Sequence, residues 1–422
     1  MIGRVRTWII GILIAIGAQC LLVHDLGRVD HVVFDEEHYI PAARHLLMMD
    51  APANIEHPPL GKEIIAAGIL LTQDDPHGWR LGSAICGMIA VMGAYTLMMI
   101  LYGSVATATT AALLALLNGM VYVQARTAML DMPLTAFVIW GIVFASLCAK
   151  GRWPWRSAIA AGTSFGLAAA CKWMAAPYIA ATCIGLILLR QRDRWLSAHR
   201  RIEGDPERLH MAGRSPSGLA LLIGAVSVVV YLQTYLPFFL YQRNPLGGIG
   251  DLLDLQMQML DLQMKKVPPH PYQSEWWAWP FDIRPLWFLF EEHEGGQRAI
   301  LLLSNPLSAM PGLVCVAVCL IRWRRERDPR HAFVTGLWLL SWGMFAIIPK
   351  AVGFAYYYVP ASLMLAMVTA AALHRRDGRG WRLQVPMLLI AAAGFWTFHP
   401  IYSGERMPMG QWESYMWTDR WR

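Results

Sequence analysis

Between Phe34 and Lys62 the chain reads FDEEHYIPAARHLLMMDAPANIEHPPLGK, a polar, proline-punctuated stretch set among long apolar runs. Chemistry is expected where such a segment is held at a membrane face. It opens on two adjacent carboxylates, Asp35 and Glu36, and closes on His57-Pro58-Pro59-Leu60-Gly61-Lys62. Tyr39, Ile40, Ala43, Leu46 and Leu47 keep helical spacing, so a short amphipathic helix starts at the acidic pair. A carboxylate at that helix's N-terminus stays ionised beside the dipole, as a general base must. A plain capping charge would sit there equally well, and the residues alone leave both readings open. In the second motif the prolines set an extended approach, Gly61 permits a turn, and Lys62 leads into the apolar run 64–71. Lys62 either snorkels to the interface or meets a lipid-linked phosphate.

The remaining polar residues of interest stand at the edges of apolar runs. Arg126 and Asp131 flank Thr127-Ala128-Met129-Leu130 and either pair with each other or leave Arg126 for an anionic headgroup. Lys172-Trp173 adds a cation on the same side. His270, Tyr272, Ser274, Trp279 and Arg284 are interleaved with Trp276, Trp277 and Trp287. Aromatic density of this kind forms interfacial belts, but the interleaved donors also suit a sugar-lined cleft. Lys350 precedes three tyrosines, Tyr356-Tyr357-Tyr358. An unpaired cation at a membrane boundary is costly, so Lys62, Arg126 and Arg284 are expected to converge on one anionic headgroup, with Lys172 and Lys350 as further candidates.

Composition says what kind of elements must position these residues. Of 422 residues 56% are hydrophobic and 15% charged, with mean hydropathy +0.38, against about 25% charged in soluble domains. The chain is therefore an integral membrane protein. Its net charge of +7 lies between apolar runs rather than on a soluble basic face, which excludes nucleic acid as a partner. The seven cysteines fall in or beside apolar runs and argue for neither a disulfide framework nor a metal site. Apolar runs at 8–23, 81–101, 105–123, 132–149, 156–171, 173–189, 218–240, 299–321, 332–348, 353–373 and 383–398 predict an all-α polytopic protein of about eleven spans, the first retained rather than cleaved. With the N-terminus inside, the inner loops 150–156, 190–217, 322–330 and 374–382 are all basic, which places 24–80, 241–298 and the C-terminal tail outside. The stretch 251–266 repeats Leu and Met at helical spacing and predicts an amphipathic helix at the interface or over a cavity. Residues 1–422 read as one membrane domain with two outer loops, 24–80 being catalytic, and a polar cytoplasmic loop at 190–217.

Together these residues resemble the protein O-mannosyltransferase family, polytopic glycosyltransferases of the GT-C fold that use a polyprenyl-phosphate sugar. The likeness rests on Phe34-Asp35-Glu36 with His38 and Tyr39, HPPLGK at 57–62, Arg126 with Leu130-Asp131-Met132, and Lys172-Trp173. It continues through His270-x-Tyr272-x-Ser274, Trp279-Pro280, Arg284-Pro285 and Tyr356-Tyr357-Tyr358-x-Pro360, in family order over most of the chain. The loop 241–298 is too short for the β-trefoil MIR insertion of eukaryotic members, which points to a bacterial-type member; the tail after Tyr402 carries no part of the likeness. The resemblance implies inverting transfer of a sugar, mannose, from a polyprenyl-phosphate donor to Ser or Thr of exported proteins, on the outer face of a bacterial inner membrane. It implies Asp35 as the base and Glu36 as the neighbour that helps place base or acceptor. Lys62, Arg126, Lys172, Arg284 and Lys350 would surround the donor phosphate, with His57, Asp131, His270, Tyr272, Ser274, Trp279 and Tyr357 about sugar or acceptor. No cofactor is required, although Asp35, Glu36, Glu56 and His57 leave room for a divalent cation. Two other readings compete. An aminoarabinose-transferase-like enzyme acting on lipid or glycan would match less well at HPPLGK and 270–288. A transporter calls for broken helices and internal repeats, and the sequence shows neither.

Overall fold

The computed structural model describes residues 2–199, 215–265, 268–348 and 352–422. Lys350 and most of the loop 190–217 lie outside the described residues. The chain enters through α1 (Ile2–Val23) and makes two short helices, α2 (Glu36–Leu47) and α3 (Leu60–Leu71), before α4 (Pro76–Tyr102). Asp75 starts α4 by accepting the Gly78 amide at 2.8 Å, with Pro76 in the first turn where a missing N–H costs nothing. Next come α5 (Val105–Leu116), α6 (Gly119–Ala125), α7 (Asp131–Ala149), α8 (Pro154–Cys171), α9 (Ala176–His199) and α10 (Pro216–Gln233). After α11 (Ile249–Met264) a hairpin, β1 (Leu286–His293) and β2 (Gly296–Leu302), leads to α12 (Pro306–Glu326), α13 (Pro329–Gly343), α14 (Val359–Leu373) and α15 (Trp381–Ser403).

Every expected apolar run falls on helix over most of its length. Among the described residues, six helices are long and apolar enough to cross a membrane by length and composition alone, or seven if α5 and α6 form one span. That pair is bent by 64°, a break the sequence did not signal. The Asn118 side chain accepts the Met120 amide at 2.9 Å and restarts the helix. Asn305 Nδ2 donates to the freed Leu117 carbonyl at 3.0 Å and to Ala391 O at 2.7 Å, so the bend leaves that carbonyl satisfied.

The run 299–321 is not one helix. Its first residues belong to β2, and the helix begins only at Pro306. Glu294 and Gly295 both take positive φ (50° and 73°) between the paired His293 and Gly296, a two-residue turn whose twist suits a hairpin. The tail, which carries no part of the family likeness in the sequence, is part of the fold. Met407 pairs with Gln297 at the edge of β2, Trp287 Nε1 donates to Trp421 O at 3.1 Å, and Trp421 Nε1 donates to Asp282 O at 2.7 Å. One continuous apolar core runs through the helices and hairpin, and a smaller one, built on Tyr235, Phe238, Leu252, Leu255 and Met259, lies under α11.

Candidate active site

Phe34 takes a left-handed backbone at φ 48°, a conformation costing a non-glycine residue about 1–3 kcal/mol. Its ring is fixed on three sides. It stacks on Phe288 (centroids 4.7 Å apart) and meets Phe354 and Tyr356 edge-on at 6.1 Å each. Phe288 stands at a register slip in β1, between Trp287 and Leu289, where a bulge can turn one side chain out of the ladder. The chain then delivers Asp35 just before α2, with φ −68° and ψ −5° and no side-chain bond to the helix amides. Capping therefore does not account for Asp35. Its carboxylate instead accepts from Tyr39 Oη at 3.3 Å. Burial raises its pKa above the usual carboxylate value; the nearby Lys172 charge opposes that rise and Asp131 adds to it.

Lys172 faces this carboxylate because α8 ends at Cys171 and the next residue is extended, φ −153° and ψ 143°. Its ammonium pairs with Asp131, the first residue of α7, at 2.7 Å, and both side chains are buried. It also lies over the rings of Tyr356 and Tyr357, at 4.9 and 5.7 Å. Trp279 packs 5.9 Å from Tyr357 and donates through Nε1 to Ser274 Oγ at 3.0 Å. On the rim, His270 meets Phe354 at 5.2 Å and Tyr272 at 5.9 Å, while exposed Arg284 donates to Pro271 O at 2.5 Å. His57 lies 6.1 Å from the Tyr39 ring, and its Nδ1 is 3.4 Å from Gln263 on α11. Asp35, His57, Asp131, Lys172, His270, Tyr272, Ser274, Trp279, Arg284 and Tyr357 thus form one connected cluster of contacts.

The expected convergence of Lys62, Arg126 and Arg284 does not occur. Arg126 turns back to the end of α1 and donates to the carbonyls of Leu22, His24 and Asp25 at 2.9, 2.6 and 2.9 Å. A helix C-terminus leaves such carbonyls without partners, and here a guanidinium supplies them. Nor does Arg126 pair with Asp131, whose cation is Lys172. Lys62 donates to Asn54 O at 2.6 Å and His57 O at 2.7 Å, tying the loop 54–57 to α3, and burial lowers its pKa to about 7. Gly61 lies inside α3 rather than at a turn; a Cβ there would come within 2.4 Å of Leu130, so glycine lets α3 press against the approach to Asp131.

Glu36, fully buried, is saturated. Its carboxylate accepts Arg80 Nε and Nη2 at 2.8 Å each, the Val33 amide at 2.9 Å and the Ala128 amide at 2.8 Å. Arg80 also donates to Val29 O at 2.7 Å and His31 O at 2.9 Å. This knot fixes the start of α2 to α4 and to the α6–α7 connection. The sequence reading missed Arg80, although a charged residue in the first turns of an apolar span needs a buried partner. Phe288 and Phe354 were missed as well, and a lone phenylalanine in an apolar run carries no signal of such a role.

Of the set Asp35, Glu36, Glu56 and His57, Glu36 is committed to Arg80. Among the described residues, Glu326, Asp328 and His331 alone cluster closely enough to share an ion, and Arg322, Arg330 and Arg376 already pair with those carboxylates. Below the cluster an apolar cavity of about 630 Å³ opens between α7, α9 and α13, lined by Ile142, Tyr178, Leu186, Phe333 and Leu340 among others. Its outer end, at Tyr178, follows Lys172 closely along the chain.

The multi-helix membrane body, with its buried acid, buried lysine and aromatic cleft, has the architecture of the GT-C glycosyltransferases. The solved yeast (S. cerevisiae) protein O-mannosyltransferase Pmt1-Pmt2 complex bound to the sugar donor superposes with TM-score 0.80 over 99% of this chain and 93% of that one, at 14% identity. ArnT from Cupriavidus metallidurans bound to undecaprenyl phosphate gives 0.59 over 92% and 65%, at 18% identity. The sequence model described as dolichyl-phosphate-mannose-protein mannosyltransferase matches residues 56–201, and that for the C-terminal four TMM region of protein-O-mannosyltransferase matches 249–421, tail included. The chain belongs to the protein O-mannosyltransferase family. Relatives named polyprenol-phosphate-mannose–protein mannosyltransferase include one from Mycobacterium tuberculosis, 25% identical over 100% of this chain and 93% of its own length. Another, from Corynebacterium glutamicum, is 24% identical over 92% and 88%.

Proposed function

We propose that this enzyme moves mannose from a polyprenyl-phosphate donor to Ser or Thr hydroxyls of exported proteins, with inversion, at the extracytoplasmic face of a bacterial inner membrane. The observation that carries the mechanism is Asp35, held half-buried on a strained turn, outside any cap, beside the Lys172–Asp131 pair. Asp35 takes the acceptor proton as the hydroxyl oxygen bonds to the anomeric carbon. The bond from that carbon to the phosphate oxygen breaks in the same step, and its electrons leave with polyprenyl phosphate. Lys172 stabilises the departing anion within the cleft, and rim Arg284 offers a second cation. No acid is needed, because the leaving group departs as an anion. The apolar cavity between α7, α9 and α13 suits the isoprenoid chain. Trp279 and Tyr357 offer faces to the sugar, and His270, Tyr272 and Phe354 border the acceptor side. Glu36 acts by positioning α2, not by touching substrate.

The reading is tested by incubating purified enzyme in vesicles with polyprenyl-phosphate-mannose and a Ser/Thr peptide. Mannosylated peptide is expected, and transfer to lipid A or free glycan instead of peptide would contradict it.

A further inference from the structure

Helix α11 has more apolar surface than the protein covers. At 100° per residue its side chains divide into three sectors. Leu252, Leu255 and Met259 are buried against Tyr235, Phe238 and Tyr241. Asp251, Asp254, Gln258 and Asp261 form an exposed polar sector. Between the two runs an unbroken apolar stripe, Ile249, Leu253, Met257, Leu260 and Met264, each between 41% and 76% exposed. A water-facing amphipathic helix keeps one apolar face, the covered one. A second face needs an occupant.

The chain itself indicates which. Helix α10 is long and apolar enough to span the membrane, and only 28% of its most apolar stretch is buried, so most of that stretch is open to lipid. Its exposed apolar surface includes Leu232 (39%) and is followed past its end by Leu236 and Leu240, at 62% and 69% exposure, shortly before α11 begins. The stripe therefore stands on a helix that begins shortly after a lipid-facing helix ends. The polar sector carries three aspartates, so attraction to anionic headgroups does not drive the contact; apolar burial does. We propose that α11 lies in the outer interfacial layer of the bilayer, its stripe seated at the headgroup–acyl boundary irrespective of lipid charge.

The seat bears on the active site. From the C-terminal turn of α11, Gln263 Nε2 donates to Glu56 O at 2.7 Å, within the loop that Lys62 fastens to α3 and that carries His57. A helix held by lipid would hold this loop from above, linking the bilayer surface to the wall of the cleft.

The test uses the full chain in phosphatidylcholine nanodiscs, with exposed Cys20 replaced by Ala and an environment-sensitive fluorophore on one introduced cysteine at a time. Labels replacing Leu253 or Leu260 should sit about 5–10 Å into the interface and be quenched several-fold more by shallow nitroxide lipids than labels replacing Asp254 or Gln258. Adding anionic lipid or salt should change neither result. Equal quenching at all four sites overturns the proposal, as does protection of Leu253 and Leu260 that needs a high protein-to-lipid ratio (a second copy) or added acceptor peptide. A second arm keeps the test independent of the label. The double variant Leu253→Gln, Leu260→Gln should keep wild-type melting in detergent yet lose several-fold hydrogen-exchange protection at 54–57 in nanodiscs; unchanged protection there also overturns it.

Discussion

Two buried charge clusters meet at the start of α2, and they are built on opposite principles. In one, Glu36 receives four donors and Arg80 spends its remaining N–H groups on backbone carbonyls. Arg126 does the same for the end of α1. In the other, one residue earlier, Asp35 accepts a single long bond from Tyr39, and Lys172 has Asp131 and two aromatic faces. A saturated carboxylate is a scaffold, since every lone pair is committed and protonation would break the knot. An undersatisfied one in a desolvated cleft keeps capacity for a substrate proton. On the proposed mechanism, adjacent acids thus divide into a reagent and a fastening, and the division is readable only from their partners.

Substitutions in the two clusters should fail differently. The largest effect on turnover is expected from Asp35→Asn, a loss of about 10²–10⁴-fold with folding and donor binding retained, measured as peptide mannosylation against donor titration. Lys172→Met should lower kcat by about 10²–10³-fold through the departing phosphate. It should also move the pH profile. Burial raises the Asp35 pKa, so the rate falls as pH drops through a value above the ordinary ~3.9; removing the opposing Lys172 charge shifts that limb further up. A limb that stays put would separate Lys172 from Asp35.

Phe288→Ala should reduce kcat on the order of tenfold with little change in KM, since one aromatic contact holding Phe34 is worth about 0.5–1.5 kcal/mol, and Phe288→Tyr should restore it. In the scaffold cluster the loss is of fold rather than rate. Arg80→Met strands the buried Glu36 carboxylate at a cost of about 3–5 kcal/mol, read as lowered melting temperature and yield. Folded Arg126→Met should bind donor normally, and weakened donor binding at unchanged stability would return Arg126 to the phosphate. The smallest effect belongs to Lys62. Its folded pKa of about 7 lies below the ordinary 10.5, so the unfolded chain binds the extra proton between these values and stability rises with pH across them. Lys62→Met should flatten that rise in thermal melts.

Much of this was legible in the sequence because local pattern controls it. Helical spacing gave α2 and α11, a charged residue between two apolar runs marked the break at Lys172, and the order of motifs from Phe34 to Pro360 carried the family. Directions were not legible. A lysine or arginine at the edge of a span must find partners, but whether it points at the cleft, as Lys172 does, or back at carbonyls, as Lys62 and Arg126 do, depends on which helix end lies nearby. The hairpin was hidden for a related reason: the apolar run 299–321 is as hydrophobic as a span, and only Pro306, where α12 begins, divides it, while the Glu294-Gly295 turn lies before the run. The bend at Asn118 rests on Asn305, which is remote in sequence.

The role of Asp35 can be tested with a nucleophile that has no proton to lose. Azide should need no base, so folded, donor-binding Asp35→Ala should be inactive toward a Ser/Thr peptide yet convert polyprenyl-phosphate-mannose to mannosyl azide of inverted configuration when azide is supplied. Peptide transfer by Asp35→Ala near the wild-type rate, or donor binding without any azide product, would contradict the assignment of Asp35 as the base.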